Sequence, residues 1–365
     1  MKIRRYDVDD IFETLDRSQI IRKTGSSRAK FICIPRYNVC IHLKGSSIRF
    51  FFKYVYKVRT YKTYLIWFFL KMIAILPSVH FLLNILGMRH KIKSMNVASP
   101  IDWNKIDVIY VEWHFFGVFS HSHKTVTHVL AKEAYAERFQ NELIARQMGN
   151  QFKNLSKVFP KLLKISDDPK YYVEELAVGA GKQFIDESQL VRAQKKIKKL
   201  NRKTLKKTVL DAYYLGLINK LGTLNNASIL NALETLKASI ERDYLNKNIK
   251  IDLALVHGDF NAGQILSQDG NIKIIDWGDG GLFNRFFDYI SIAIYKSPNH
   301  TFSSKYFPNE LSVLKPFFSN KLMKEKHMEL YVRLTLLEIL VISKGEFEAN
   351  EGAYERWLTA VNYNT

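Results

Sequence analysis

Asp259, Gln264 and Asp276 are the side chains of this sequence best suited to phosphate chemistry, and each sits at the edge of a short apolar run. Leu253–Val256 is apolar and ends in His257-Gly258-Asp259. Ile265-Leu266 leads to Asp269-Gly270, a dipeptide that accepts the left-handed backbone of a tight hairpin turn. Ile272–Ile275 then returns and ends on Asp276. Such a reversal brings Gln264 and Asp276 near each other, with Asp259 on the approach loop. One carboxylate to orient a hydroxyl, with an amide and a second carboxylate to hold Mg²⁺, is the minimum apparatus for moving a phosphoryl group.

These residues resemble the kinase-like phosphotransferases of the aminoglycoside phosphotransferase and choline kinase type. That family carries His-Gly-Asp, four residues, an Asn, and later Ile-Asp-Trp. Here His257-Gly258-Asp259 and Ile275-Asp276-Trp277 match, and the step that reaches Asn in the family lands on Gln264. Gln carries the same amide oxygen on a stem one methylene longer, so it must re-aim to meet the octahedral geometry Mg²⁺ requires. The resemblance implies that Asp259 accepts the proton of the acceptor hydroxyl and that Gln264 and Asp276 bind Mg²⁺. It implies that Asp288 buttresses the catalytic loop. His257 is expected to hydrogen-bond that loop rather than act as a base. Asp279 could touch metal or cap the following turn.

Elements upstream fall in the order the resemblance implies. Val126–Ala131 reads as a strand ending on Lys132, and Ala134–Met148 as a helix with Phe139, Leu143, Ile144 and Met148 at helical spacing. Lys132 is expected to reach the nucleotide phosphates while Glu142 holds it, with Glu137 the rival partner. Val158–Ile165 and Tyr171–Val178 read as two strands around Asp167-Asp168-Pro169. The second resembles the strand into the hinge, which makes Glu174, Glu175 and Leu176 the expected neighbours of the nucleotide base. Phe115–Lys124 occupies the place of the phosphate-covering loop. It has one glycine, Gly117, and the amides of Ser120–His123 could cradle phosphate. His121 and His123 are read as part of a polar exposed loop.

The composition sets outer bounds. The chain has 365 residues, enough for two or three compact units. Cys33 and Cys40 are too few for a disulfide framework, which suits a reducing, cytosolic compartment, with peripheral attachment to the inner face of a membrane as a further option. Net charge is +20 and unevenly spread. Residues 1–100 hold 19 Lys/Arg against 5 Asp/Glu, and no acidic residue occurs between Asp16 and Asp102. Such a stretch favours an anionic neighbour: nucleic acid, a phospholipid headgroup or an acidic saccharide. The bland alternative is a strand-rich accessory region with a basic face, built from Ala29–Pro35, Asn38–Leu43 and Ile48–Val55.

Tyr64–Met88 is long and apolar enough to cross a bilayer, but Lys71, Pro77 and His80 interrupt it. Pro77 divides it more naturally into helices over 62–76 and 78–88, packed on the protein or seated at a membrane surface. Val191–Lys207 reads as a basic, solvated helix without the aromatic interleaving that single-stranded nucleic acid would want. Helices are also expected over Lys206–Leu221, Ala227–Tyr244, Leu322–Ser343 and Ala353–Val361.

The expected architecture is α+β: a two-lobed, protein-kinase-like fold with a small antiparallel-sheet N-lobe (101–178), a helical C-lobe (179–365) and a basic N-terminal extension (1–100). The expected activity is ATP- or GTP-dependent, Mg²⁺-assisted phosphorylation of a hydroxyl on a small molecule or saccharide, as in cell-surface polysaccharide metabolism. The alternative is a catalytically silent, pseudokinase-type scaffold or membrane-associated binding protein. Expected partners are the nucleotide, the acceptor and an anionic membrane surface. Specific nucleic-acid binding is not expected.

Overall fold

The computed structural model describes residues 2–3, 6–18, 29–51, 61–76, 81–85, 89–95, 102–112, 114–152, 157–168, 170–177, 187–258, 260, 264–268, 271–277, 279–296, 328–349 and 354–365. The chain divides into two compact units, Met1–Phe139 with Pro160–Gly179 and Gln140–Phe159 with Ala180–Thr365. The α+β class expected from the sequence is the one observed.

The first unit is built on one antiparallel sheet of eight strands. In chain order these are β1 (Ala29–Ile34), β2 (Val39–His42), β3 (Lys91–Met95), β4 (Val108–Val111), β5 (Phe115–Ser120), β6 (Thr125–Leu130), β7 (Leu162–Ile165) and β8 (Tyr171–Glu175). Their spatial order is β3-β1-β2-β4-β5-β6-β8-β7. The sheet therefore runs without a break from the basic N-terminal stretch into the region expected to form the N-lobe, joined where Cys40 of β2 pairs with Ile109 of β4.

Both faces of this sheet are covered, which explains why β1 is apolar at nearly every position. Phe31 and Cys33 face a layer that includes Phe12 of α1 (Val8–Ser18) and Trp103. Ile32 and Ile34 face the opposite layer, with Ile48 and Phe50 of α2 (Gly45–Phe50) and Ile66, Leu70 and Ile73 of α3 (Tyr61–Ile75). Burying each of these side chains contributes about 1.5–3 kcal/mol.

Three local expectations need correction. The strand expected over Ile48–Val55 is instead helix α2, at least through Phe50; residues 52–55 lie outside the described residues. The amides of Ser47 and Ile48 turn back onto the Lys44 carbonyl, and the Ser47 hydroxyl donates to Asp107 Oδ1 at 2.6 Å. Those bonds wind the chain and set Ile48 and Phe51 on one buried face. Second, Lys206–Val209 is a short strand and not the start of a helix. Third, two cysteines make no disulfide framework, yet Cys33 and Cys40 are joined by a disulfide. The β1–β2 register sets them directly opposite, with Cα atoms 3.9 Å apart.

The second unit receives most of α4 (Ala136–Gln151), followed by α5 (Glu187–Lys203), β9 (Lys206–Val209), α6 (Leu210–Leu221), α7 (Ala227–Tyr244), β10 (Lys250–Val256), β11 (Ile265–Gln268), β12 (Asn271–Ile274), β13 (Gly281–Asn284), α8 (Phe287–Lys296), α9 (Met328–Ala349) and α10 (Glu355–Asn364). Helix α7 matches the expected range, and the Asn226 side chain caps its first turn by accepting from the amides of Ser228 and Ile229. Helices α6 to α10 share one large apolar core. A second, smaller core packs α5 against β11 and β12 through Ile197, Leu200, Ile265, Ile272, Ile274 and Trp277. Among the described residues, no helix is long and apolar enough to cross a membrane.

Candidate functional site

The hairpin read from the sequence is present. β11 and β12 pair antiparallel from Ile265↔Ile274 to Gln268↔Asn271, so two residues, 269 and 270, connect them. The pairing extends past the strands' lower ends, where the Ile275 amide donates to the Gln264 carbonyl at 2.9 Å. Gln264 and Asp276 therefore emerge side by side, and Gln264 Nε2 donates to Asp276 Oδ2 at 2.9 Å. Asp276 is exposed and has a left-handed backbone, φ +60°. Asp tolerates that region better than most residues, and such strain concentrates at functional sites.

Below Asp276 the chain is pinned. Trp277 is fully buried; its Nε1 donates to the Ile274 carbonyl at 3.0 Å, and its ring stacks on Phe159 at 4.4 Å. The Trp277 ring also meets His257 at 4.6 Å. His257 Nε2 donates to the Ile275 carbonyl at 3.0 Å, which fixes the tautomer with the proton on that nitrogen. Burial pushes the His257 imidazole down to about 4, and Arg146, Asp279 and Glu142 also act on it. A histidine so buried, neutral and bonded through its only proton ties the loop to the hairpin. It has the structural role expected of it.

Asp259 lies outside the described residues, but both of its neighbours are placed. The Asp288 carboxylate accepts from the His257 amide at 3.0 Å and from the Gly258 amide at 2.6 Å. Two charge-assisted bonds from one buried carboxylate fix the backbone immediately before Asp259. Gly258 has φ +92°, and a Cβ there would lie 2.0 Å from the Asp279 carbonyl oxygen. Only glycine meets both conditions. Phe260, buried on the other side, sets its ring 5.6 Å from that of His257.

The upstream residues are distributed over both units. Lys132 is exposed at the end of β6, its Nζ 4.9 Å from the centre of the Tyr6 ring. Glu142 is fully buried in α4, where it accepts from Arg146 Nη2 at 3.4 Å. The helical spacing read for α4 predicts Ile144 on the apolar face, but Ile144 is 42% exposed while Glu142 and Arg146 are buried. Arg146 is the buried partner of Glu142 that sequence reasoning missed, because an arginine at a core position gives no apolar signal. On β8, Glu174 is buried and accepts from His128 Nε2 at 3.1 Å, and the His128 ring stacks on Tyr172. The amides of Glu175 and Leu176 donate to the carbonyls of Lys161 and Lys124.

The stretch expected to cover phosphate, Phe115–Lys124, is strand β5 with the four-residue turn His121–Lys124 leading into β6. Phe115–Ser120 pairs with Thr125–Leu130 along its whole length, so the amides of Ser120–His123 lie at the end of β5 and in the turn that follows it. The His121 amide, a candidate phosphate donor, already donates to Asp107 Oδ2 at 2.7 Å.

The donor set at the hairpin end fits Mg²⁺. A carboxylate and an amide oxygen are the hard oxygen ligands this ion takes, and it keeps several waters besides. Asp276 presents its carboxylate at the surface, and Gln264 lies within hydrogen-bond reach of it. For both to hold one ion, the Gln264 amide must turn its Oε1 where its Nε2 now points. No group of three or more His, Cys, Asp or Glu side chains suited to a metal occurs among the described residues.

No protein-family model and no curated protein matches the chain. Solved structures do. A thermostable mutant of aminoglycoside phosphotransferase APH(4)-Ia is 16% identical over 72% of this chain and 96% of its own, with a TM-score of 0.46. The choline kinase LicA from Streptococcus pneumoniae is 12% identical over 69% of this chain and 89% of its own, at 0.45. The GDP complex of aminoglycoside 2'-phosphotransferase-IIIa is 13% identical over 70% and 90%, at 0.39.

Proposed function

We propose that this protein transfers the terminal phosphoryl group of ATP or GTP to a hydroxyl of a small molecule or saccharide. The observation that supports this most is the meeting of Gln264 and Asp276 at the end of a hairpin whose base, through His257, is bonded to the loop carrying Asp259. Phosphoryl transfer asks little covalent help of a protein; it asks for position and for charge where charge develops.

In this reading Asp259 accepts a hydrogen bond from the acceptor hydroxyl, aims its oxygen at the terminal phosphorus and takes its proton as the new P–O bond forms and the bond from that phosphorus to the bridging oxygen breaks, releasing ADP or GDP. Asp288 serves by fixing the backbone that leads to Asp259. Asp276 and Gln264 would hold Mg²⁺, which when bound supplies neutralisation of the phosphate oxygens. Lys132 contacts the phosphates, and Glu174, Glu175 and Leu176 lie along the strand that meets the base. Glu142, bonded to Arg146 in α4, is also the partner that holds Lys132 in this reading.

The chain's charge of +20 suits an anionic or sugar-like acceptor better than a cationic one. An acceptor drawn from cell-surface polysaccharide metabolism satisfies that chemistry. A silent, scaffold-type protein is the second reading. It is favoured by the residue type at 264, a Gln one methylene longer than the Asn the resemblance calls for.

ADP or GDP release with a panel of sugars and sugar phosphates, beside nucleotide binding measured with and without Mg²⁺, separates the two. Asp259→Asn is expected to abolish transfer and to leave nucleotide affinity within about threefold. Full turnover by that variant on an identified acceptor overturns the role of Asp259. Nucleotide binding with no transfer to any acceptor supports the scaffold.

A further inference from the structure

Helix α3 is apolar on two opposite sides. Ile66, Leu70 and Ile73 lie along one side and are buried against the sheet. Tyr64, Phe68 and Ile75 fall within about 40° of one another on the other side, at 100° per residue, and are 52%, 45% and 73% exposed. Leu76, Phe81 and Ile85, next in the chain, are also exposed. Six of the twelve exposed large apolar residues among the described ones thus fall between positions 64 and 85. Scattered exposed apolar residues need no explanation, but a helix side lined with them does.

The charge of this stretch of sequence narrows its partner, although Arg17, Lys44, Lys91 and Lys93 are paired with Glu13, Asp107 and Asp9. Residues 17–101 carry 16 Lys/Arg and no Asp or Glu. Arg49 and Arg89, both described, are exposed, and Lys71 lies on the apolar stripe itself with its Nζ 3.9 Å from the centre of the Trp67 ring. A second copy of this chain docking by the same face would bring like charge against like charge. An acidic bilayer surface meets both properties at once: acyl chains for the aromatic and aliphatic side chains, and anionic headgroups for the basic ones. A lysine among apolar side chains reaches its ammonium up to the headgroups. Helix α3 has 15 residues and is about 22 Å long, short of the roughly 30 Å hydrocarbon core. It can lie in the interface and cannot span it.

We propose that the exposed Tyr64–Phe68–Ile75 side of α3, with Leu76, Phe81 and Ile85, is a seat for an anionic lipid surface. This does not depend on the phosphoryl-transfer reading, and its test needs no substrate.

The full-length protein is mixed with vesicles of phosphatidylcholine alone or of phosphatidylcholine with 30% phosphatidylglycerol, and bound protein is measured by flotation. Binding is expected to the anionic vesicles only and to weaken as salt rises from about 0.05 to 0.5 M. The double substitution Phe68→Ser with Ile75→Ser is expected to lower the partition coefficient at least about tenfold while leaving Tm unchanged, since both side chains point away from the core. The salt and lipid arms use the unaltered protein, so they decide even if the variant fails to fold. No binding to anionic vesicles, or equal binding by a folded double variant, overturns the proposal. So does a dimer in solution that the double variant converts to monomer, which would make a second copy the partner.

Discussion

Gln264 and Asp276 stand twelve residues apart in sequence and share a hydrogen bond of 2.9 Å across the open end of a β-hairpin. The bond holds the longer amide arm in place over the carboxylate, and it defines what substitution should do there. Gln264→Asn shortens the arm by one methylene and breaks this contact. If position 264 serves as a Mg²⁺ ligand, that variant keeps or gains transfer activity, whereas Gln264→Ala loses about 10- to 100-fold in kcat. Asp276→Asn should weaken Mg²⁺-nucleotide binding as well as turnover. Steady-state kinetics with a Mg²⁺ titration decides. Gln264→Ala with unaltered kcat and unaltered Mg²⁺ dependence would remove that residue from the site.

Gly258 should tolerate no side chain. A methyl group at that position meets the Asp279 carbonyl, which is backbone and cannot swing aside. Gly258→Ala is expected to cost about 2–4 kcal/mol of stability and to abolish transfer through displacement of Asp259. Denaturant unfolding measures the first, and turnover measures the second. Wild-type values for both would mean that the loop has an easy alternative path.

Asp288 acts at one remove. Asp288→Asn replaces one accepting oxygen with an NH₂ that faces an amide N–H of His257 or Gly258. A drop in kcat of about 100-fold is expected, with KM for nucleotide within about threefold, because the change reaches Asp259 through its backbone and leaves the nucleotide's own ligands in place. A reversed split, with KM raised and kcat kept, would argue against a positioning role.

Stability should fall toward both ends of the pH scale, for different buried groups. Glu338 is fully buried on α9, where it accepts from Tyr213, from the Asn284 amide and from Asn284 Nδ2. Burial outweighs these bonds and pushes its carboxyl up to about 8. Its folded value is raised, so its contribution is complete below about pH 4.5 and is lost as pH rises through 8. His42 and His257 run the other way. Burial holds both near 4, so their contribution is present above about 6.5 and is lost as pH falls toward 4. Each group is worth on the order of a few kcal/mol. Unfolding free energies measured from pH 4 to 9 should trace a dome, and Glu338→Gln should flatten its alkaline side. An alkaline limb unchanged by that substitution would reassign the loss to other groups.

Much of this molecule was legible in its sequence because the signals were local. Asp269-Gly270 between two short apolar runs specified a hairpin, and a two-residue turn leaves one register in which Gln264 and Asp276 must meet. Helix α7 carried both its period and its Asn226 cap. His257-Gly258-Asp259 carried its own geometry, since a glycine between two polar residues marks a backbone bend. What sequence alone could not give depends on distant partners. Ile48–Val55 has β-rich composition, but Asp107, sixty residues on, supplies the acceptor that helps wind Gly45–Phe50 into a helix. The basic N-terminal stretch looked like an appendage, yet long-range pairing of Cys40 with Ile109 makes it part of one sheet. Glu142 and Arg146 have the composition of a solvated helix face and are buried together, since their charges offset each other inside the core. The outward side of α3 is as apolar as its inward side, so composition could not say which would face the sheet; packing against Ile32, Ile34 and Ile41 decided it.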